Sequence, residues 1–285
     1  LDSMAKASSD PGIAAAVGAA RPRDFELREM DLCHADLSVL GTGFDEAYHI
    51  AATVGVAKVC AYPYETLSNN AVSTLRFVEW AREAVGGRVV FASSCENFAQ
   101  LNDLGMVPVP TPERVPLGVV DLENPRWSYA VSKLFGESVF FNSGLEFAVV
   151  RYFNVYGPAM FSTHAIPELF SKIWRGQSPL QVASASHTRS FCFVEDAVAG
   201  TIAAMEHAEA RQKVVNVGNA NEEISIGDLA RRMIEVAGVE VEVAADEEVW
   251  GSVRRRVPDT ALLLRLLGTE YHYTPLDDGL ARCWE

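Results

Sequence analysis

Disulfide signatures and membrane-length apolar runs are both missing from this sequence. Its five cysteines are odd in number, widely separated and never spaced as C-x-x-C, which favours reduced thiols in the cytoplasm over a disulfide-bonded secreted domain. No apolar run approaches the ~18–20 residues of a membrane span, and the opening residues LDSMAKASSD contain no signal-peptide core. We therefore expect a cytoplasmic protein with no membrane partner.

Positive charge is also scarce. The 285 residues include 24 Lys and Arg against 38 Asp and Glu, a net charge of −14, whereas binding a nucleic-acid backbone requires a cationic face. Nucleic acid is therefore not expected as a partner. A small anionic substrate stays compatible, because a few arginines can create a local positive pocket. The histidines are dispersed singly and give no support for a metal site.

What is present is an alternation of short β-rich segments with longer amphipathic segments. This pattern is typical of parallel strands joined by crossover helices, so the sequence predicts an α/β fold with a doubly wound parallel sheet. The predicted strands are FELRE (25–29), EAYHI (46–50), RVVFAS (88–93), EFAVVRYF (146–153) and KVVNVG (213–218). The predicted helices span 66–84, 128–142, 165–175, 195–208 and 226–236.

The alternation becomes less regular after RYFNVYGP (151–158). We predict a sheet domain over 1–157, to which 190–220 return, and a smaller lobe built from 158–189 and 221–285. Active sites in open α/β sheets lie beyond the carboxyl ends of the strands, so the polar residues that close each strand are the first candidates.

The segment NPRWSYAVSKLFGESVFF (124–141) places a tyrosine and a lysine four residues apart in an otherwise ordinary helix pattern. At i and i+4, the side chains of Tyr129 and Lys133 share one helix face. A tyrosine that acts as a base near neutral pH needs its pKa of about 10 lowered, at about 4 kcal/mol of differential stabilisation, and a nearby ammonium supplies part of that. Taken alone, the pair fits equally well a tyrosine packed on the sheet beside a solvated lysine.

Ser93, Ser94, Cys95 and Glu96 come one after another where the strand RVVFAS ends. Hydroxyl side chains at such positions more often shape turns than catalyse reactions. Cys95 has no histidine at a recognisable spacing, which favours a small buried thiol over a nucleophile. These residues gain a functional interpretation from their place among other motifs.

Eight segments occur in an order that resembles the extended short-chain dehydrogenase/reductase family. They are FDEAYHIAATVGV, YETLSNNAVSTL, VVFASSCENFA, NPRWSYAVSKLFGE, VVRYFNVYGP, HTRSFCFVEDAVAG, VVNVGNANEEISIGDLA and RRRVPDTALLLRLLG. Within that family the chain is similar to the NAD-dependent nucleotide-sugar epimerases, dehydratases and decarboxylases, and most of all to UDP-glucuronate decarboxylases. The resemblance covers nearly the whole chain. It implies a Rossmann-like NAD-binding domain over 1–157, a nucleotide-sugar-binding smaller lobe, NAD as cofactor and a homodimer.

The resemblance also implies roles for individual residues. Tyr129 would take a proton from a sugar hydroxyl, Lys133 would lower the pKa of Tyr129 and hold the nicotinamide ribose, and Ser94 would hydrogen-bond the same sugar oxygen. The implied substrate contacts are Ser94, Cys95, Glu96, Asn154 and, near the diphosphate, Arg189 and Arg256, where planar guanidiniums suit phosphate. The implied dinucleotide contacts are Asp2, Asp31, Leu32, His49, Ala51, Ala52, Asn70, Tyr129 and Lys133.

A family member is expected to open with a strand, a glycine-rich turn and a helix that holds the dinucleotide pyrophosphate. This sequence has no such motif, and the nearest glycine pair, in GTGF (41–44), lacks a third glycine and predicts a loop. Asp2 resembles the acidic residue found about 20 residues after the glycines, so roughly 30 residues would precede it. We expect a fragment of a longer enzyme. The alternative is a protein without the cofactor cradle, which would be a nucleotide-sugar-binding scaffold.

The implied chemistry is oxidation at sugar C4 by NAD⁺. The residues that follow the strand RVVFAS (88–93) distinguish the reactions that can come after this oxidation. Dehydratases carry Asp where this chain has Cys95, and a thiol is a poor acid for a departing hydroxide. Glu96 is present as in UDP-glucuronate decarboxylases, whereas simple 4-epimerases usually lack it. Decarboxylation therefore ranks ahead of 4,6-dehydration and 4-epimerisation. Cys95 keeps apiose-type ring contraction open, because apiose/xylose synthases have Cys there. Where the family has V-Y-G, this chain has N-F-A (97–99), so the sequence does not determine which sugar is the substrate.

Overall fold

The computed structural model describes residues 26–160, 164–249 and 251–285; Asp2 lies outside them. The strands are β1 Ala47–His49, β2 Arg88–Ser94, β3 Glu146–Tyr152, β4 Val155–Tyr156, β5 Leu180–Ala183, β6 Thr188–Ser190, β7 Cys192–Phe193, β8 Val214–Val217, β9 Glu223–Ser225, β10 Val243–Asp246 and β11 Arg255–Arg256. The helices are α1 Val56–Ala61, α2 Pro63–Ala84, α3 Ala99–Asp103, α4 Ser128–Phe141, α5 Ala165–Trp174, α6 Val194–Glu206, α7 Ile226–Ala237, α8 Ala261–Leu267 and α9 Leu276–Trp284.

A four-stranded parallel sheet forms the centre of the fold, in the order β1-β2-β3-β8. Its longest pairing joins β2 to β3, from Arg88 opposite Glu146 to Ser94 opposite Tyr152. Every residue of β2 is buried, as expected for a parallel strand covered on both faces. The carboxyl ends of β1, β2 and β3 meet at one edge of the sheet, which is where open α/β sheets bind ligands.

Helices cover both faces of this sheet. Successive residues of β2 point to opposite sides, and Phe91 packs with Phe140 of α4 on one side, at a ring distance of 4.7 Å. Val90 packs on the other side with Ala204 of α6 and Leu263 of α8. The predicted doubly wound α/β architecture is thereby confirmed.

Helix α4 approaches β2 closely because position 136 is glycine. A Cβ atom at Gly136 would lie 2.3 Å from the Phe91 ring, far inside the separation of about 3.5–4.0 Å at which carbon atoms attract. Gly136 lies between Lys133 and Glu137, both of which are buried. The missing side chain therefore lets the helix hold these two residues against the sheet.

The predicted helices all occur, with ends displaced by up to three residues. Helix α2 starts at Pro63 rather than Thr66, since proline suits the first turn of a helix. Four predicted strands correspond to β1, β2, β3 and β8, and GTGF (41–44) is a loop that ends in an isolated bridge at Phe44.

The strand predicted at 25–29 is not confirmed by its described residues. Residues 26–29 contain an isolated bridge at Glu29 and no longer pairing. Leu27 is 38% exposed, so the segment has no buried face to stabilise a strand.

A second apolar core lies in the C-terminal part of the described chain. It joins α5, α7 and α9 to β5 through Leu169, Leu229, Leu280 and Leu180. The division into a sheet domain and a smaller lobe stays a prediction. No described helix is both long and apolar enough to cross a membrane.

Candidate active site

The candidate site is built on the segment that leaves β2. Ser94 ends the strand, and its Oγ accepts a hydrogen bond from the Glu96 amide at 3.2 Å, which turns the chain into a 3-10 helix over Cys95–Phe98. A Ser at this capping position stabilises such a turn. The structure thus places the Glu96 side chain beside the end of the sheet.

Helix α4 brings Tyr129 and Lys133 to the same place. The Lys133 ammonium is buried and donates a hydrogen bond to the Ala92 carbonyl at 2.6 Å, and its Nζ lies 5.8 Å from the centre of the Tyr129 ring. Burial lowers the pKa of Lys133 to about 8, although the Glu137 charge acts in the opposite direction. The structure therefore brings together the tyrosine and lysine singled out by their spacing.

The pKa of Tyr129 is raised rather than lowered, in contrast to the expectation from its lysine neighbour. Burial raises this pKa most, the charge of Glu96 raises it further, and a hydrogen bond with Ser94 opposes both. The difference arises because Lys133 directs its ammonium to the Ala92 carbonyl, while the phenol lies near a carboxylate. Without a ligand, Tyr129 is protonated at neutral pH.

Glu96 lies among arginines from distant parts of the chain. Arg256 donates a hydrogen bond from Nη2 to Glu96 Oε1 at 2.9 Å, and Arg126 Nη2 lies 3.8 Å from the same oxygen. Burial would raise the pKa of Glu96, but the charges of Arg256 and Arg126, with a smaller effect of Arg189, keep it below its ordinary value. Glu96 is accordingly ionised. We call Glu96, Arg126, Arg189 and Arg256 the arginine cluster.

The short strands β6 and β11 place two of these arginines side by side. They pair in parallel with Arg256 opposite Arg189, so two guanidiniums share one side of the site. Burial, followed by the charge of Arg256, lowers the pKa of Arg189 to about 9, which leaves it charged at neutral pH. Asn154, in a left-handed conformation with φ of 41°, donates to the Ser190 carbonyl at 2.9 Å and accepts a long hydrogen bond of 3.5 Å from Arg256.

Two donors of this cluster lack a hydrogen-bond partner in the described structure: the Nε atoms of Arg126 and Arg256 are both buried. Buried donors of native proteins are nearly always satisfied. A cavity of ≈ 230 Å³ opens here and is lined by Arg126, Asn154 and Arg189, continuing to Leu169 and Val182. An anionic ligand in this cavity would meet the guanidiniums of Arg126 and Arg189.

Cys95 lies at the border of this polar group, where its thiol interacts electrostatically with Arg256, Glu96 and Arg189. Its side chain is 3% exposed and packs in an apolar cluster with Phe98, Leu101 and Phe153. Burial raises the pKa of the thiol, so Cys95 is protonated. This environment matches the expected small buried thiol.

The residues assigned to the dinucleotide lie in several different environments. Ala51 is exposed and Ala52 half-buried just past β1, where a ligand could contact them. The side chain of His49 instead points into the core, stacked on Phe77 at 4.6 Å and 3.1 Å from the Thr74 hydroxyl.

Asn70 ties the loop after β1 to helix α4. Its Oδ1 accepts from the Thr53 amide at 2.7 Å, and its Nδ2 donates to the Thr53 carbonyl at 3.2 Å and to Ser132 Oγ at 3.0 Å. Both amide hydrogens are therefore used. Asp31 is exposed and Leu32 buried, in the turn that precedes the helices of this face.

The donors around Lys133 suit a ribose. Its ammonium has three hydrogens and uses one on Ala92, and the Tyr129 hydroxyl projects from the same helix face. The described residues thus fit the nicotinamide-ribose half of NAD, and they include no glycine-rich turn for its pyrophosphate.

Two residues of the site were not singled out from the sequence. Arg126 lies three residues before Tyr129, and a cation at that helical spacing was a usable signal. Glu137 extends the i, i+4 series of Tyr129 and Lys133 by one more step, so it too falls on the face that meets β2.

The family model for the NAD dependent epimerase/dehydratase family matches residues 7–218. The chain belongs to this family. The match confirms the resemblance and, with it, NAD as the cofactor of the family. Among curated relatives, the chain is 29% identical over 242 residues to UDP-glucuronic acid decarboxylase 1 of Xenopus tropicalis, covering 83% of this chain and 55% of that protein. It is 27% identical over 263 residues to UDP-D-apiose/UDP-D-xylose synthase 2 of Arabidopsis thaliana, covering 76% and 67%.

The solved structures agree on the fold of this family member. A UDP-galactose 4-epimerase is 26% identical with a TM-score of 0.72, covering 94% of this chain and 86% of that one. The UDP-glucuronic acid 4-epimerase of Bacillus cereus, solved with UDP-glucuronic acid and NAD, is 22% identical with a TM-score of 0.78, covering 98% and 85%. The chain spans 55–65% of the length of the curated decarboxylases it matches.

Proposed function

We propose that this protein is an NAD-dependent enzyme that modifies a nucleotide sugar through a 4-keto intermediate, with decarboxylation of a UDP-glucuronate-like substrate as its reaction. The observation that carries the proposal is the arginine cluster beside Tyr129 and Ser94. The decarboxylases among the curated relatives support the same reaction.

The arginine cluster concentrates positive charge at one place in a protein whose net charge is −14. Three guanidiniums surround the one carboxylate of Glu96, and Asp103, which also acts on Arg189 and Arg256, offsets part of the excess. The remaining positive charge suits an anion. A nucleotide-linked glucuronate offers two such anions, its diphosphate and its C5 carboxylate, and planar guanidiniums bind both.

Tyr129, Ser94 and Lys133 are proposed to handle the proton of the sugar C4 hydroxyl. NAD⁺, when bound, supplies the acceptor for the hydride from C4. The Ser94 hydroxyl lies near enough to Tyr129 to lower the pKa of the phenol, so both hydroxyls can meet one substrate oxygen. Lys133, with a pKa of about 8, is mostly an ammonium at neutral pH, and its positive charge near the Tyr129 ring is proposed to favour the tyrosinate that takes the C4 proton.

Glu96 and Arg256 are proposed to act on the sugar carboxylate. A 4-keto group next to the C5 carboxylate makes a β-keto acid, which loses CO₂ readily. Glu96 is ionised and accepts a hydrogen bond from Arg256 at 2.9 Å, which supports a role in which Glu96 orients Arg256 and Arg256 binds the substrate carboxylate. Dehydration is less well supported, because burial raises the pKa of the Cys95 thiol and a thiol is a poor acid for a leaving hydroxide.

Ring contraction is a second candidate. The sequence Ser94-Cys95-Glu96 has the cysteine that the apiose/xylose synthases carry, and such a synthase is among the curated relatives. Both reactions release CO₂, so the sugar of the product distinguishes them.

The proposed assembly is a homodimer in the cytoplasm. Helices α2 and α4 pack side by side and expose Val72, Leu75 and Phe135 on their outer faces, an apolar surface that a second copy would cover. All five cysteines are free thiols, as expected in a reducing compartment.

The test begins with the natural full-length protein. Denaturation followed by mass spectrometry identifies any bound dinucleotide, and incubation with UDP-glucuronate and NAD⁺ is followed by measuring CO₂ and the nucleotide-sugar product. Bound NAD with one UDP-pentose per CO₂ supports decarboxylation. A branched product indicates ring contraction, and a 4-epimer without CO₂ indicates epimerisation. A protein that neither carries nor takes up NAD would contradict the redox mechanism in favour of a binding scaffold.

A further inference from the structure

A second buried polar group lies one helical turn beyond Lys133, and the proposed chemistry does not use it. The carboxylate of Glu137 is fully engaged: Oε1 accepts from Ser93 Oγ at 2.5 Å, from Asn97 Nδ2 at 2.7 Å and from Arg151 Nε at 2.8 Å. Its Oε2 accepts from Arg151 Nη2 at 2.7 Å. Glu137 is 3% exposed and Arg151 2% exposed. We call Glu137, Arg151, Ser93 and Asn97 the paired cluster.

The partners of Glu137 flank the reactive segment. Ser93 immediately precedes Ser94, and Asn97 comes immediately after Glu96, so the carboxylate holds both ends of the Ser94-to-Glu96 segment. Asn97 also donates to Ser93 Oγ at 3.1 Å. One side chain of helix α4 thereby fastens the turn after β2 to the helix that carries Tyr129 and Lys133.

Burial of an ion pair is weak support for a role in stability, since a well-packed apolar pair often serves as well. An apolar pair could not replace the hydrogen bonds that Glu137 accepts from Ser93 and Asn97, which fix the turn after β2. Arg151 also donates from Nη1 to the Glu113 carbonyl at 2.8 Å. The guanidinium that binds the Glu137 carboxylate is therefore itself anchored to the backbone.

We propose that Glu137 is a positioning residue, which fixes Ser94 and Glu96 relative to Tyr129 and Lys133 so that their polar groups converge on one substrate. This inference rests on the proposed function. The charge of Glu137 also raises the pKa of Lys133, against the effect of burial. Glu137 therefore has an electrostatic consequence as well as a geometric one.

The first test removes the whole ion pair with Glu137→Met and Arg151→Met together, a change that keeps the volume and leaves no unpaired charge. The control is Arg88→Met with Glu146→Met, which removes a more exposed pair at the opposite end of β2 and β3, where Arg88 lies 3.3 Å and Arg211 3.2 Å from Glu146. We expect kcat to fall about 100-fold in the first variant, as loss of positioning does, with KM little changed. The control variant should keep the kcat of the natural protein.

The same proteins are compared by amide hydrogen exchange, which does not depend on turnover. Exchange of residues 93–98 should become faster in the Glu137→Met, Arg151→Met variant and stay unchanged in the control. A folded variant with unchanged kcat and unchanged exchange in this segment would overturn the inference. If the natural protein turns over no nucleotide sugar, the proposed function fails, while the exchange result still decides the role of Glu137.

A second variant covers the case in which the double variant does not fold. Glu137→Gln keeps the shape of the side chain and removes its charge, so the pKa of Lys133 should fall further. The pH dependence of Lys133 acetylation by acetic anhydride, read by peptide mass spectrometry, should then move to lower pH. An unmoved profile together with unchanged exchange in 93–98 would contradict the inference.

Discussion

The arginine cluster and the paired cluster are both largely buried and charged, yet they differ in how their charges are balanced. In the paired cluster, one carboxylate meets one guanidinium and all four contacts are 2.8 Å or shorter. In the arginine cluster, Arg126 and Arg256 form ion pairs with the one carboxylate of Glu96, and Arg189 adds a third positive charge. Each cluster contains buried polar atoms without a partner among the described residues, the two Nε atoms in the arginine cluster and Asn97 Oδ1 in the paired cluster. A balanced group organises the fold, whereas an unbalanced group prepares a place for a ligand.

The largest effect is expected at the phenol beside the arginine cluster. Tyr129→Phe removes the group proposed to take the sugar proton, so kcat should fall by about 10²–10⁴-fold, the usual contribution of a general acid or base. Binding of the nucleotide sugar, measured by calorimetry, should change little. Tyr152→Phe is the matched control, because that hydroxyl bonds Thr201 on the other face of the sheet. Unchanged turnover in Tyr129→Phe would sink the mechanism.

The next largest effect is a loss in the free energy of unfolding when an arginine of the paired cluster is removed. Arg151→Met leaves the Glu137 carboxylate buried without its partner, which should cost about 3–5 kcal/mol in the free energy of unfolding. Denaturant unfolding followed by circular dichroism measures the loss. Removing both members of the pair should recover much of it. A loss no larger than that of an exposed substitution would show that Glu137 is satisfied without Arg151.

The opposite outcome is expected for an arginine of the unbalanced cluster. Arg189→Met should leave the free energy of unfolding nearly unchanged, since it removes a cation that repels Arg256. Affinity for UDP should fall about 10–100-fold, corresponding to one charged hydrogen-bonding group of about 1.5–3 kcal/mol. Calorimetry with UDP checks this. A large stability loss with unchanged affinity would reverse the assignment of the two clusters.

The smallest effect is a pH dependence that comes from Lys133. Burial places its folded-state pKa at about 8, below the ordinary value of 10.5, so the unfolded chain binds more protons between these two values. Stability should therefore rise with pH across this window, by at most about 1.4 kcal/mol per pH unit from this residue, while the cost of the buried charge is fully present below pH 8. The slope should be shallower in Lys133→Met. Parallel profiles would indicate that Lys133 is solvated.

Much of the fold was predictable because parallel strands and crossover helices leave periodic patterns. The strands β1, β2, β3 and β8 coincide with the predicted segments, since each is a short run of β-branched and aromatic residues. The strand predicted at 25–29 is not confirmed by residues 26–29, where Leu27 is exposed and Glu29 forms an isolated bridge. Short strands such as β6 and β11 left no pattern, as two or three residues carry no measurable periodicity.

The residues of the candidate site were likewise predictable in part. Tyr129 and Lys133 lie on one helix face by their spacing alone, and Ser94 and Glu96 are neighbours along the chain, so local geometry determined these pairs. Arg256 and Glu96 are 160 positions apart, and they meet because β11 pairs with β6 at the edge of the site. Chain packing also decided that Glu137 reaches both Ser93 and Asn97. The direction of each pKa shift came from packing as well, because desolvation and neighbouring charges exist only once the chain has folded.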